Sequence, residues 1–193
     1  MRIAIIQGHP DPDKNHLGHL LAAAYIVGAQ SAGHETRTIM VADLEFSIIR
    51  KPDIWQNGLP PESILESQEI IEWAEHILII YPLWLGTMPA LLKAFFEQLF
   101  RPGFAVVKAK SGKPWKQLLK GKSARVVITM GMPASIYRWF YQAHSLKSLE
   151  RNILSFTGIG PVRSSLFGMV EAASKEKVEK WLLQMEALGN KAI

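Results

Sequence analysis

Cysteine is absent from the 193-residue chain. Disulfide staples, thiolate metal ligands and a cysteine nucleophile are therefore excluded. Long apolar runs are missing too. After Met1-Arg2, the stretch Ile3-Ala4-Ile5-Ile6 is too short for a signal-peptide core and passes at once into polar loop residues. No other run is long enough to span a bilayer, so a cytoplasmic protein is expected. Neither sign of charge dominates: 22 Lys and Arg against 17 Asp and Glu leave a formal +5. Much of that excess is local, in Lys108, Lys110, Lys113, Lys116, Lys120, Lys122 and Arg125. A basic balance can serve nucleic acid, a membrane surface or an anionic small molecule. We read this cluster as a solvated loop and expect no nucleic-acid partner. Repeats and low-complexity segments are also lacking, as are a Walker loop, a GxGxxG turn, HExxH, a Ser-His-Asp order and a paired-carboxylate site. Hydrolysis has no support in such a chain.

What is present centres on residues 77–105, ILIIYPLWLGTMPALLKAFFEQLFRPGFA. Ile77 to Tyr81 reads as a strand buried on both faces, the kind found in parallel sheets. Pro82 ends it. Leu83-Trp84-Leu85-Gly86-Thr87 forms a loop, and Pro89 suits the first turn of the next helix. Leu91, Leu92, Phe95, Phe96, Leu99 and Phe100 recur at helical spacing and predict a broad core-facing surface.

The same alternation runs through the chain. Arg2 to Gln7 is a first strand. The breaker-rich Gly8 to Asp13 follows, and Asn15 can cap a helix from about His16 to Ser31. On it Leu17, Leu20, Leu21, Ala24 and Gly28 share a side expected to face the sheet, and Gly33 stops the helix. Glu35 to Val41 is a second strand, Asp43 to Leu59 is irregular, and Glu62 to Ala74 is a helix with Ile64, Leu65 and Ile71 inward. Pro102 to Gly121 is an aperiodic insertion. Ala124 to Thr129 is a fourth strand, Ser135 to about Phe156 a helix, Val162 to Val170 a fifth strand, and Ala172 to Leu188 a terminal helix closed by Gly189. This pattern predicts one α/β domain over residues 1–193, with a doubly wound five-stranded parallel sheet of order 2-1-3-4-5 and helices on both faces. In that order the loops after strands one, three and four converge on one crevice.

Three sets of residues there can carry chemistry. Gly8 to Gly18 joins a strand to a helix N-terminus, a geometry that offers free N–H groups to an anion, with His9, Asn15 and His16 as further donors. It is either a phosphate cradle or a plain connecting turn. A metal held by His9, His16 and His19 is disfavoured, because Asp11 and Asp13 fall out of helical register with them. Trp84 and Leu85 are apolar where a loop is normally polar, which suits a flat aromatic ligand. Tyr137 and His144, seven apart on the expected helix, point to one side two turns apart. They are a hydroxyl donor and a proton donor, or else a packed Tyr and an exposed His.

The stretch YPLWLGTMPALLKAFFEQLFRPGFA, with GHPDPDKNHLGHLL and TMGMP, resembles the flavodoxin-like NAD(P)H:quinone oxidoreductases, including small bacterial members linked to potassium-efflux systems. The resemblance covers nearly the whole length. It implies a bound flavin, FMN or FAD, with NAD(P)H as co-substrate. His9, Asn15, His16, Leu17 and Gly18 would hold the flavin phosphate. Leu83, Trp84, Leu85 and Gly86 would lie along the ring, and Met130, Gly131, Met132 and Pro133 would meet its other edge. Tyr137 stands at the spacing of the family's active-site Tyr, and His144 one residue beyond the family's His. Met132 and Pro133 replace small residues of the family, Gly86 replaces an aromatic, and Val106 replaces another. The implied function is two-electron, ping-pong reduction of quinones or similar flat acceptors, with Trp84, Phe104 and Trp139 as apolar walls, in a homodimer. The rival expectation is a regulatory flavin-binding subunit that docks on a transporter or other partner through the basic insertion.

Overall fold

The computed structural model describes residues 1–107 and 115–193. Its central element is a parallel sheet of β1 (Arg2–Gln7), β2 (Glu35–Met40), β3 (His76–Pro82), β4 (Ser123–Met130) and β5 (Val162–Gly168). The strands lie in the order β2-β1-β3-β4-β5, as predicted. Ile3 to Ile6 and Ile77 to Ile80 have no exposure at all, which is why they read as continuous apolar runs. β2 pairs only with β1 and is an edge strand in which Ile39 alone is buried.

Helices cover both faces. On one, α1 (Leu17–Ser31) and the terminal helix pack Leu21, Tyr25 and Met185 over Ile3, Ile5, Leu78 and Ile80. On the other, α3 (Glu62–Trp73) and α4 (Ala90–Leu99) pack Ile64, Ile71, Leu92, Phe95 and Phe96 over Ala4, Ile6, Ile77 and Ile79. A short helix, α2 (Pro52–Asn57), precedes α3. It is held by the buried Arg101, whose guanidinium donates to Ile54 O at 2.9 Å and Gly58 O at 2.8 Å. After β4 come α5 (Ala134–Trp139), α6 (His144–Ser148), a π-helical turn over Leu149–Leu154, and α7 (Ser155–Thr157). α8 (Lys175–Asn190) closes the fold, capped by the Ser174 hydroxyl, which accepts the Lys177 N–H. Among the described residues no helix is long and apolar enough to cross a membrane.

Several expectations need correction. Asn15 does not cap α1. Its backbone and side chain both donate to Asp13 Oδ1, and His16 stands at the cap position without a side-chain bond to the helix backbone. The buried face of α1 is Leu21, Ala22, Tyr25 and Ala29, while Leu20 is exposed, because two neighbours rather than one share the helix surface. Gly28 faces α8, not the sheet: a methyl there would stand 1.9 Å from Glu186 O. Gly189 lies inside α8 and does not end it, and a methyl there would stand 2.0 Å from Tyr25 O. The two glycines let the helix backbones touch. Leu65 points to solvent, and the inward positions of α3 beside Ile64 and Ile71 belong to Ser67 and Gln68. Residues 43–59 are not wholly irregular, since α2 lies within them. The expected helix from 135 to 156 is broken at Gln142 and Ala143, which have φ of 50° and 49°. At the described ends of the insertion, Val106–Val107 pairs antiparallel with Lys116–Gln117. Lys108, Lys110 and Lys113 lie outside the described residues. Lys122 is internal in its contacts, with Nζ donating to Glu72 O at 2.8 Å and Ala74 O at 2.6 Å. Arg125 is buried and donates to Ile193 O and Ser165 Oγ.

Two outcomes follow from these contacts. Gly28→Ala and Gly189→Ala should each cost about 2–3 kcal/mol, the usual range for overpacking against a rigid neighbour, read as a lowered urea midpoint. His76 is buried at the start of β3 and bonded to Ser123 Oγ at 2.7 Å. Burial, with the Arg125 charge second, pushes its pKa down to about 4. The unfolded chain takes up a proton near pH 6.5 and the folded one only near 4. Stability is therefore full above pH 6.5 and falls as pH drops from there toward 4, by at most about 1.4 kcal/mol per pH unit for one group. His76→Gln should flatten that slope when unfolding free energy is measured between pH 7.5 and 5.

Candidate functional site

Because the strands are parallel, the segments after β1, β3 and β4 all leave from one rim of the sheet. The first is fixed by Gly8, whose N–H donates to Ile80 O at 2.8 Å. A methyl on Gly8 would come within 2.6 Å of Leu92 Cδ2. From there the chain passes His9, which is buried, and reaches the N-terminus of α1 at Leu17. The first N–H groups of a helix have no partner inside it, so those of Leu17 and Gly18 face the rim. His9 Nδ1 stands 3.1 Å from Asp11 N and 3.2 Å from Asp11 O, so the ring is pinned to that residue's backbone through Nδ1 and turns Nε2 away from it.

The imidazoles gather here. His9 stacks on His16 with centroids 4.0 Å apart, His19 lies 5.8 Å from His9, and Trp84 meets His9 edge-on at 6.1 Å. His16 Nε2 pairs with Asp11 Oδ2 at 2.9 Å. Burial lowers the pKa of His9, and the adjacent His16 charge adds to it; His19 is lowered chiefly by burial. The Asp11 carboxyl is held below its usual range by the Asp13 N–H and then by His16. His9 is thus held toward its neutral form. Asn15 is turned onto Asp13 and exposed, so of the expected phosphate ligands it is the one the loop directs elsewhere.

The second segment is a two-residue hairpin. Trp84 N–H donates to Thr87 O at 2.8 Å and Thr87 N–H to Trp84 O at 3.0 Å. Leu85 and Gly86 have φ of 47° and 79°, the type I′ pattern. Gly86 is suited to it; Leu85 is not. Leu85 carries a fully exposed apolar side chain at the tip, and Trp84 is half exposed beside it. Leu83 N–H donates to Thr129 O at 2.8 Å and ties this turn to β4.

The third segment, after Met130, is seated on β5. Met169 N–H donates to Met132 O and Val170 N–H to Met130 O. Gly168 permits this, since a methyl there would stand 2.4 Å from Ala134 N and 2.7 Å from Met132 O. Sequence reading passed over Gly168, although a glycine inside a strand pattern marks such close approaches.

Leu85 projects between two hollows. One, about 420 Å³, is lined by Leu85, Gly86, Met132, Tyr137, Tyr141 and His144. The other, about 440 Å³, lies toward Trp84, Met88, Lys93, Ser145 and Ile153. Tyr137 and His144 do meet at one hollow, but not as successive turns of one helix. Tyr137 is sealed, with its hydroxyl 2.7 Å from Ser145 Oγ, while His144 is exposed beyond the break in the chain. Tyr141, Ser145 and Ile153 were not singled out in the sequence. Phe104 is half-buried and Trp139 largely exposed.

A parallel sheet of this order with three loops converging on one rim defines a class of proteins. The chain belongs to the flavodoxin-like fold family, whose sequence profile matches residues 1–188. An uncharacterised NAD(P)H oxidoreductase of Haemophilus influenzae is 32% identical over 132 residues, which are 68% of this chain and 64% of that relative. The chain thus spans less than two thirds of that relative's length. Among solved structures it is similar to an NAD(P)H:quinone oxidoreductase from Methanothermobacter marburgensis, with a TM-score of 0.84, 22% identity, and coverage of 100% of this chain and 99% of that one. It is also similar to an FMN-dependent NADH-azoreductase from Bacillus anthracis in complex with FMN, with a TM-score of 0.76, 18% identity, and coverage of 98% and 97%. These two likenesses establish the fold.

Leu85 is a non-glycine residue in a left-handed conformation and buries nothing there. Leu85→Asn restores the Asn-Gly pair that type I′ turns favour, and should raise stability by about 1 kcal/mol in urea titration. The same variant should weaken binding of any flat aromatic ligand seated against the turn.

Proposed function

We propose that the chain is a flavin-dependent NAD(P)H oxidoreductase that passes two electrons to quinones or similar flat acceptors. One observation carries the reading: an exposed apolar turn, Trp84-Leu85-Gly86, stands between two hollows on the rim where a helix N-terminus and the His9 ring offer donors. An apolar tip in solvent is an unfinished contact, and an anion cradle alongside it matches a ligand with a flat ring and a phosphate. The activities of the similar proteins, NAD(P)H oxidation, quinone reduction and FMN-dependent azo reduction, support the same reading.

The residues present fit a phosphorylated flavin. Leu17 and Gly18 N–H groups and His9 Nε2 would hold the phosphate, and His16, paired to Asp11, would flank it. Leu83 to Gly86 would lie along the ring. Gly131 is open on its own side, with only Glu171 Oε1 within 4 Å of where a methyl would stand, so its backbone can approach a ligand closely. When bound, a flavin supplies two-electron transfer between a nicotinamide and a second substrate. The protein's part is to bind, orient and screen. The Met130 to Pro133 backbone would stabilise negative charge on the ring, in the manner of an oxyanion hole. Trp84, Leu85 and Met132 would exclude water and select flat molecules. The exposed Ile136, Trp139 and Phe140 beside the hollow support a homodimer.

The test is direct. The purified protein, loaded with FMN and separately with FAD, should show a protein-bound flavin spectrum that bleaches anaerobically with NADH or NADPH and recovers with 1,4-naphthoquinone. Sedimentation should give twice the chain mass. A protein that binds neither flavin ends the reading; one that binds flavin but turns over negligibly and captures a transporter favours the regulatory role.

A further inference from the structure

We infer that Tyr141, not Tyr137, is the phenol that meets the acceptor, donating a hydrogen bond to its carbonyl oxygen. The inference rests on the oxidoreductase reading above. Tyr137 has 1% of its surface exposed. Its hydroxyl lies 2.7 Å from Ser145 Oγ and accepts the Leu146 N–H at 3.1 Å. That N–H belongs to the first turn of α6, one of the groups a helix cannot satisfy itself. Tyr137 is therefore spent as a cap: one lone pair and one further bond are used, and the group is closed to solvent.

Tyr141 is placed differently. After α5 the chain turns through Gln142 and Ala143, two successive non-glycine residues in the left-handed region. Such a pair persists only where surrounding contacts hold it. Here Ala143 N–H donates to Tyr137 O at 3.0 Å and His144 N–H to Tyr141 O at 3.2 Å. The turn brings Tyr141 and His144 to the hollow shared with Leu85, Gly86 and Met132. Tyr141 is 48% exposed, and Phe140 meets its ring edge-on at 5.0 Å and 85°, which restrains its plane. A quinone oxygen gains negative charge as it takes up a hydride equivalent drawn from NAD(P)H, and a proton from solvent completes the hydroquinone. Tyr141 keeps its own proton and stabilises that charge as a donor.

The comparison is between Tyr141→Phe and Tyr137→Phe, each flavin-loaded, with rates taken per bound flavin. In Tyr141→Phe, reduction by NADPH should stay within about twofold of wild type, while reoxidation by 1,4-naphthoquinone slows about tenfold or more, in line with loss of one oxyanion donor. In Tyr137→Phe both half-reactions should stay within about twofold, but the urea midpoint of the flavin-free protein should fall, whereas that of Tyr141→Phe should not. If Tyr137→Phe fails to fold, Ser145→Ala removes the same bond and should reproduce its pattern. Slowed reoxidation in Tyr137→Phe with wild-type rates in Tyr141→Phe overturns the assignment. Absence of naphthoquinone turnover in wild type sinks the parent reading instead; unchanged urea midpoints in both variants then sink this one as well.

Discussion

Parallel pairing is the constraint on which this molecule depends. It sends every strand's C-terminal end to the same rim, so three segments far apart in the chain meet without any one of them being long. It also demands two covered faces, and the chain meets that demand with two apolar surfaces built from alternate residues of β1 and β3. The anchoring bonds run from loop to strand. Gly8 is fastened to Ile80, Leu83 to Thr129, and Met169 to Met132. Each loop at the rim is thus positioned by a neighbouring strand rather than by its own rigidity.

The strain in the structure collects where those loops meet. Of the non-glycine residues in the left-handed region, Leu85 lines both hollows, Gln142 and Ala143 form the turn between Tyr141 and His144, Met169 supports the third loop, and Ala192 stands apart after α8. Conformations of this kind cost energy that a fold selected for stability alone would shed. Their concentration on one rim separates the molecule into a relaxed frame and a stressed working edge.

Much of the frame was legible in the sequence. Strands buried on both faces leave continuous runs such as IAII and ILII, and five such units in alternation with helices admit few topologies. The edge strand was read instead from a rough polar–apolar alternation, and α3 from its helical period. What escaped reading depends on distant partners. Gly28 and Gly189 look like a helix interior and a helix stop, yet each exists for the other helix's backbone. Leu20 and Leu65 obey the helical period and still face solvent, because the period gives an angle but not the number of neighbours. The break at Gln142 carries neither glycine nor proline, so periodicity ran across it, and the pairing of Tyr137 with His144 followed from a helix that does not continue. The convergence of the three rim segments was legible, and Leu85, Gly86, Met132, Tyr137 and His144, named from the sequence, line one hollow there, whereas Tyr141 was missed.

The outer margin of β2 has a consequence beyond the single molecule. Among the described residues no strand lies on its far side, so it offers unused main-chain donors and acceptors to any similar ribbon. Arg37 on this strand holds its guanidinium 4.3 Å from the centre of the Trp73 ring. A second copy approaching ribbon to ribbon would have to detach that cation from its aromatic seat and bury it. A charged side chain on an edge strand makes such ribbon-to-ribbon addition of a second copy costly.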